Sequence, residues 1–136
     1  MKIDAAVYRY IEHELYNYQR YKKELELERQ AILDSSPLPP DGQPRGTVLS
    51  NPTEKKAIAL WSNIGIVALQ RSINAIEQTY SELDEEHRKV FIEVYEKKRK
   101  DWYWIGRDLG MAERTIMRKK SNIVMLAGKN LGIIRR

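Results

Sequence analysis

Residues 102–116 read WYWIGRDLGMAERTI, with apolar side chains and two glycines at regular intervals. The inner face of a short first helix carries three apolar side chains: Trp102, Ile105 and Leu109. Gly110 fits the left-handed residue that ends such a helix, because a Cβ would strain that conformation. Ile116 lies six residues later and can anchor a second helix against the first. The spacing predicts a tight helix-turn-helix.

Four neighbouring residues complete this prediction. Asp101 can cap the first helix, and Gly106 is a small residue where two helices are expected to cross closely. Met111 is expected to fill the elbow between the helices. The second helix should begin close to Ala112, which cannot cap it as a serine would. In typical proteins that absence weakens the start of a helix by about 1 kcal/mol.

Charge is distributed unevenly along the 136 residues. The chain has a net charge of +5, but residues 1–34 carry −1 and residues 35–86 carry −3. Residues 87–136 contain 14 lysines and arginines against 5 aspartates and glutamates, a net charge of +9. Such segregation is typical of a chain end that binds a polyanion, although a solvated lysine-rich tail has the same composition.

The second helix of the motif supplies the candidate base-reading residues. With Ile116 inward, its outer face would carry Glu113, Arg114, Met117, Arg118 and Ser121, with Thr115 and Lys119 at the margins. Arginine can bridge two acceptors on guanine, and apolar groups such as Met117 or the Thr115 methyl can touch a thymine methyl. Glu113 can accept from cytosine or repel phosphate. The pattern predicts that this helix, led by Arg114 and Arg118, reads double-stranded DNA.

Other residues near the motif are predicted to contact phosphates or bases. Lys119, Lys120 and the cluster Lys97–Lys100 would set the register on the DNA backbone rather than read its sequence. Trp104 lies off the inner face of the first helix and can stack on a base, whereas Trp102 shares a face with Ile105 and belongs to the core. Lys100 and Trp104 therefore join the predicted DNA-binding residues.

The N-terminal part of the chain predicts a long helical hairpin. Residues 3–33 contain neither glycine nor proline, and apolar side chains recur every four or seven positions. That periodicity indicates one long amphipathic helix with a narrow, coiled-coil-like seam. Five tyrosines are expected along it with hydroxyls reaching water: Tyr8, Tyr10, Tyr16, Tyr18 and Tyr21.

An irregular, proline-rich loop over residues 34–52 follows this helix. Asn51 and Pro52 then favour the start of a second long helix, which would run through Trp61 and Gly65 and pack antiparallel to the first. We therefore expect an all-α protein with a hairpin region over residues 1–82, which favours homodimerisation, and a helix-turn-helix domain over residues 83–136. Asp84 should cap the third helix.

Several classes of function find no support in the sequence. There is no cysteine, and His13 and His87 are isolated, so no metal site is predicted. No phosphate-binding glycine loop or nucleophile–base pattern appears, so we expect neither an enzyme nor a cofactor. The N-terminus does not resemble a signal peptide, and no apolar run is long enough to span a membrane. We expect a soluble, cytoplasmic protein.

Nearly the whole chain resembles the RinA family of phage late-gene transcriptional activators, which is related to the ArpU-type phage regulators. The resemblance lies in ELYNY at residues 14–18, in SSP at 35–37 with DGQPRG at 41–46, in SNPTE at 50–54 and in residues 102–118. The last segment also resembles the helix-turn-helix of region 4 of sigma-70 factors, which binds promoter DNA.

The resemblance implies a sequence-specific regulator of phage late genes for packaging, morphogenesis or lysis. Its partners would be promoter DNA in the bacterial host cytoplasm and, as a further candidate, the host RNA polymerase. Two alternatives stay open at this point. A phage small terminase subunit also joins a helix-turn-helix to oligomerising helices, and a protein-interaction module could use the basic end on RNA polymerase or another acidic partner.

Overall fold

The structure is a computed structural model that describes residues 3–34, 55 and 63–135. Within these residues the chain is helical and contains no strand, which confirms the predicted all-α class. The helices are α1 (Ala5–Tyr16), α2 (Tyr18–Leu33), α3 (Ile64–Glu82), α4 (Glu85–Phe91), α5 (Trp102–Leu109) and α6 (Glu113–Asn130). A π-helical segment, Ile92–Glu96, continues α4. None of the described helices combines the length and apolar character that crossing a membrane requires.

The predicted single helix over residues 3–33 is wrong, because it is divided at Asn17. The Asn17 side chain donates to the carbonyl of His13 at 2.7 Å, and its backbone leaves the helical conformation at φ −98° and ψ 9°. Asparagine competes for backbone groups in this way and so interrupts helices. The division lets Ile11 of α1 and Leu25 of α2 enter two different apolar clusters.

The predicted antiparallel packing of the N-terminal helices is confirmed for α2 and α3. The Tyr18 hydroxyl at the start of α2 donates to Glu77 near the end of α3, at 2.6 Å. Arg29, near the end of α2, donates to Gln70 near the start of α3, also at 2.6 Å. A small apolar cluster lies between the two helices and is formed by Leu25, Ile66 and Ile73.

The described part of α3 begins later than the sequence predicts. Asn63 has an extended backbone (φ −74°, ψ 114°), and its side chain accepts the Ile66 N–H at 3.0 Å. An asparagine in this position caps a helix start, so the predicted continuous helix through Trp61 and Gly65 is wrong at residue 63. The predicted cap at Asn51 and nearly all of the predicted loop 34–52 lie outside the described residues.

The main core joins α1 and the end of α3 to the three C-terminal helices. Its buried side chains come from both of the predicted domains: Ile11, Leu15, Ile76, Leu83, Val90, Phe91, Val94, Tyr95, Ile105, Ile116, Ile123, Val124 and Ala127. The fully buried Ile11, Ile116 and Ile123 therefore share one apolar interior. Because such interiors are close-packed, α6 is held in a defined orientation against α1.

Helix α4 forms as the sequence predicts. The Asp84 carboxylate accepts the His87 N–H at 2.8 Å and caps the helix. This hydrogen bond, with a second one to the His87 ring, lowers the pKa of Asp84 below its ordinary value. Val90 and Phe91 in the helix, like Val94 and Tyr95 in the π-helical segment, point into the core.

The tyrosines of the first two helices mostly contact protein groups, which corrects the expectation that their hydroxyls reach water. Tyr18 and Tyr21 donate to the carboxylates of Glu77 and Glu14. The Tyr16 ring packs edge-on against Tyr95, with 5.0 Å between the ring centroids. Glu77 is 59 residues from Tyr18, so the local pattern gave no sign of that pair, whereas Glu14 is only seven residues from Tyr21.

Candidate nucleic-acid interface

The turn between α5 and α6, residues 110–112, has the predicted geometry. Gly110 is left-handed, with φ 68° and ψ 35°. The Met111 N–H donates to the carbonyl of Gly106 at 2.8 Å and closes the end of α5. Ile116 is fully buried six residues after Gly110. The two helices are thus joined by a three-residue turn and anchored on the core by the predicted isoleucine.

Position 106 requires a glycine because it lies against the turn between α5 and α6. A Cβ built on this residue would be 2.5 Å from the carbonyl oxygen of Met111, a contact that real side chains do not make. The same Cβ would be 3.4 Å from Cδ1 of Ile116 on α6. The predicted close approach of the two helices is therefore confirmed, and the tightest contact is with backbone.

The start of α5 is organised by Arg99 rather than by the predicted Asp101 cap. The Asp101 side chain does not cap the helix, because both of its oxygens accept from the Arg99 guanidinium at 2.9 and 3.1 Å. Arg99 also contacts Glu93 and Asp108, each at 2.9 Å. These hydrogen bonds raise the pKa of Arg99 and lower that of Asp101.

The four residues of the basic cluster Lys97–Lys100 therefore differ from one another. Arg99 is bound by three carboxylates, and Lys97 lies 2.8 Å from an oxygen of Glu93. Lys98 and Lys100 are exposed and have no ion pair within the described residues. The prediction that the whole cluster is available to phosphates needs correction, because Arg99 is already neutralised inside the fold.

The first half of α6 leaves its two arginines in solvent. Arg114 and Arg118 lie one helical turn apart, are exposed, and have neither an ion pair nor a side-chain hydrogen bond within the described part of the chain. We call them the exposed arginine pair. Glu113 beside them is also exposed, whereas Thr115 and Met117 are half-buried. These five residues are brought together as the sequence predicts.

The next turn of α6 is engaged by the rest of the protein. The Lys119 ammonium lies 3.2 Å from Glu86, and only 12% of its side chain is exposed. Ser121 was expected on the outer face but is half-buried, with its hydroxyl 3.4 Å from that of Tyr8. Helices α1 and α4 pack against this side of α6. Lys119 and Ser121 therefore have partners that the sequence did not reveal.

Lys120 is similarly held by α1. Its ammonium lies 3.2 Å from Glu12 and sits over the Trp102 ring, 5.1 Å from the centroid. Trp102 itself packs against the main core, as predicted. Both the carboxylate and the aromatic face stabilise the Lys120 ammonium in this position. Binding a phosphate would require Lys120 to break its contacts with Glu12 and Trp102.

Three residues that were not predicted lie at this surface. Tyr103 and Arg107 are exposed on α5, and Asn122 is exposed on α6. The Asn122 amide lies 3.2 Å from Nε2 of His87, whose Nδ1 lies 2.8 Å from Asp84. Tyr103 and Arg107 are four residues apart and so lie on the same side of α5, away from Ile105. That spacing could have identified both as outward residues from the sequence.

A groove of about 700 Å³ runs along α3, and the side chains of Arg29, Gln70 and Asn74 in its wall bond to one another. Across residues 3–34 and 63–135, no group of three histidine, aspartate or glutamate side chains could hold a metal ion. The surface of α5 and the first half of α6 is the candidate site.

The fold and site define an all-α protein with a C-terminal helix-turn-helix. The chain belongs to the family described as a protein of unknown function (DUF722), whose model matches residues 11–127. The match extends from α1 into α6 and so includes the main core together with the helix-turn-helix. No curated protein and no solved structure matches the chain significantly.

Proposed function

We propose that the protein is a sequence-specific double-stranded DNA-binding regulator that inserts the first half of α6 into the major groove. The observation that carries the proposal is the exposed arginine pair, which lies one turn apart on a helix fixed by a tight turn and a shared core. Arginines at this spacing can each bridge the two acceptors of a guanine. The flanking Thr115 and Met117 offer apolar groups to thymine methyls.

The unpaired cations support the same surface. Arg114 and Arg118 lie on α6, while Lys100 and Arg107 lie on or just before α5. A DNA-binding helix-turn-helix needs both base-reading residues and cations that hold the phosphates. The net charge of +9 in the C-terminal third attracts DNA whatever its sequence. The residues that can contact phosphates or bases are those without an ion pair inside the protein.

The biological role that fits this chemistry is activation of phage late genes, as the resemblance to RinA-type regulators implies. A homodimer would place two such helices on half-sites about one helical turn of DNA apart, or a multiple of that distance. Promoter DNA is then the principal partner. Contact with the host RNA polymerase would convert DNA binding into activation.

The proposal is tested by in vitro selection of duplex DNA on the full chain, followed by affinity measurements on the selected sequence. The Arg114→Ala/Arg118→Ala variant should lose roughly 30-fold or more in affinity, because each arginine–guanine contact contributes about 1–3 kcal/mol. The matched control is Lys23→Ala/Arg71→Ala, two exposed cations on α2 and α3 without an ion pair in the described residues, which should bind nearly as the native chain does. Equal affinity of the arginine-pair variant and the native chain would refute the proposed interface.

The regulatory role is distinguished from DNA packaging by the assembly that binds the selected site. We expect a dimer in multi-angle light scattering and a single protected site upstream of a late operon. A ring-shaped oligomer that protects a site at the packaging start would instead assign the protein to the small terminase subunits.

A further inference from the structure

The outward side of α3 forms the floor of a groove of about 700 Å³. Its lining residues come from α2, from α3 and from Asn130, the last residue of α6. The groove is therefore separate from the candidate nucleic-acid interface, where residues such as Trp104, 53% exposed on α5, face solvent. A ligand in the groove and DNA on the first half of α6 would bind to different parts of the protein.

The lining carries two positive charges and receives no opposing charge from the described residues. Arg29, which is half-buried, and Arg71, which is exposed, both line the groove, and none of the described lining residues is an aspartate or a glutamate. Arg29 donates to the neutral side chain of Gln70 at 2.6 Å, and neither arginine has an ion pair within residues 3–34 and 63–135. Glu82 accepts from Asn130 at the far end of the groove, at 2.9 Å. The groove therefore favours an anionic group beside the two arginines.

The shape of the groove fits a helix. Its lining residues on α3 extend from Ile66 to Gln78 along one side of that helix, a strip about 18 Å long. On the floor, Ile66 and Ala75 are 4% and 6% exposed, and Val67 beside them is 37% exposed. Helices pack by placing side chains between such rows. The floor requires apolar side chains from the occupant, whereas the arginines require acidic ones.

We infer that the groove docks an acidic amphipathic helix of a protein partner. The apolar face of that helix packs on Ile66, Val67 and Ala75, and its carboxylates pair with Arg29 and Arg71. A nucleic-acid backbone would satisfy the arginines but would leave the apolar floor uncovered. The groove thus adds a protein-binding surface to the proposed DNA-binding surface and does not depend on it.

The charge requirement is tested by fluorescence anisotropy of the full chain with two fluorescein-labelled synthetic helices of about 15 residues, a length that can form a helix alone. Both have leucine at the apolar positions, and the flanking positions are glutamate in one and glutamine in the other. The native chain should bind the glutamate helix at least about tenfold more tightly. Arg29→Gln/Arg71→Gln should bind the two helices equally. The control Lys23→Gln/Lys89→Gln, two exposed cations outside the lining, should keep the native preference.

A second variant blocks the groove by size instead of charge. Asn74 is an exposed residue of the lining, so Asn74→Trp fills the groove without entering the core. It should weaken binding of both synthetic helices at least about tenfold, because the new ring takes the place of the docked side chains. Lys23→Trp, at an exposed position outside the lining, is the control and should bind both helices as the native chain does. Circular dichroism checks that both variants are folded.

Three results would overturn the inference. The first is equal affinity of the native chain for the glutamate and glutamine helices. The second is displacement of the bound glutamate helix by the selected duplex, which would assign the groove to DNA. The third is a native dimer that Asn74→Trp alone converts to a monomer, which would assign it to a second copy of the chain. Affinity for the selected duplex should be native in Asn74→Trp, so failure of the helix test leaves the proposed function intact.

Discussion

The two halves of α6 have opposite surroundings although they belong to one uninterrupted helix. In the first half, Arg114 and Arg118 are exposed and unpaired within the described residues. In the second half, Ile123, Val124 and Ala127 are fully buried against α1, α3 and α4. The first half is therefore available to a partner, while the second half fixes the helix to the rest of the fold.

The difference divides the basic residues of the C-terminal third into those with and those without an internal carboxylate partner. Arg99, Lys119 and Lys120 pair with carboxylates on other elements and so contribute to the fold. Arg114 and Arg118 have no such partners in the described chain. A count of basic residues consequently overstates the charge that is available to an outside partner, because only the unpaired subset is free to contact one.

The largest loss of stability should come from removing a core side chain in the second half of α6. Ile123→Ala leaves a cavity at a fully buried position and should lower the free energy of unfolding by about 2–5 kcal/mol. Urea unfolding followed by circular dichroism measures it. DNA affinity, measured where the variant is still folded, should remain near native. A variant as stable as the native chain would contradict the packing of this half.

A substitution that disturbs the turn between α5 and α6 should destabilise the protein nearly as much. Gly106→Ala places a Cβ against the Met111 carbonyl oxygen, which is backbone and cannot easily move aside. We expect a loss of about 1–3 kcal/mol in unfolding free energy, typical of overpacking in a tight site. Gly65→Ala is the comparison variant, because its Cβ would be 3.2 Å from Oδ1 of the capping Asn63, a side-chain atom that can shift, rather than against backbone. Equal stability of the two variants would show that the turn is not tight.

Arg118 and Lys119 are adjacent cations where the two halves of α6 meet, and their removal should affect DNA affinity differently. Arg118→Gln removes an unpaired charge and should weaken binding to selected DNA roughly tenfold, about 1.4 kcal/mol. Lys119→Gln removes a charge that is paired with Glu86, so its effect on DNA binding should be much smaller. Fluorescence anisotropy on both variants decides the point. Equal losses for the two would mean that Lys119 leaves Glu86 to bind DNA.

The smallest expected effect concerns the Asp84 cap at the start of α4, next to the His87 ring that contacts Asn122 of α6. Hydrogen bonds from His87 lower the pKa of Asp84, so its stabilising contribution is present above the ordinary carboxylate pKa and is lost as pH falls through the lowered value. Asp84→Asn keeps a capping side chain but cannot titrate. The native chain should therefore lose thermal stability relative to Asp84→Asn below about pH 4. A pH-independent difference would contradict the linkage.

Features that depend on local sequence could be predicted. The left-handed Gly110, the capping Asp84 and the buried Ile116 each follow from residue type and spacing over a few positions. The exposed arginine pair followed from helical periodicity once Ile116 was placed inward. The all-α class and the antiparallel packing of α2 and α3 rest on the same kind of periodicity.

Features that depend on distant partners could not be predicted. Lys119 and Lys120 looked like surface charges, because their carboxylate partners, Glu86 and Glu12, are 33 and 108 residues away. Asp101 does not cap α5 because its carboxylate pairs with Arg99. Glu93 and Asp108 also pair with Arg99, and these three carboxylates meet only after α5 packs. By contrast, the division at Asn17 has a local cause, the hydrogen bond from the Asn17 side chain to the His13 carbonyl, which helical periodicity alone does not reveal.

The most direct test of DNA binding by the first half of α6 is an NMR titration of the native chain with its selected duplex. Backbone amide signals of residues 100–107 and 113–118 should shift, while those of residues 123–130 and of α2 should change little. Shifts confined to α2 and α3, with residues 113–118 unaffected, would contradict the account.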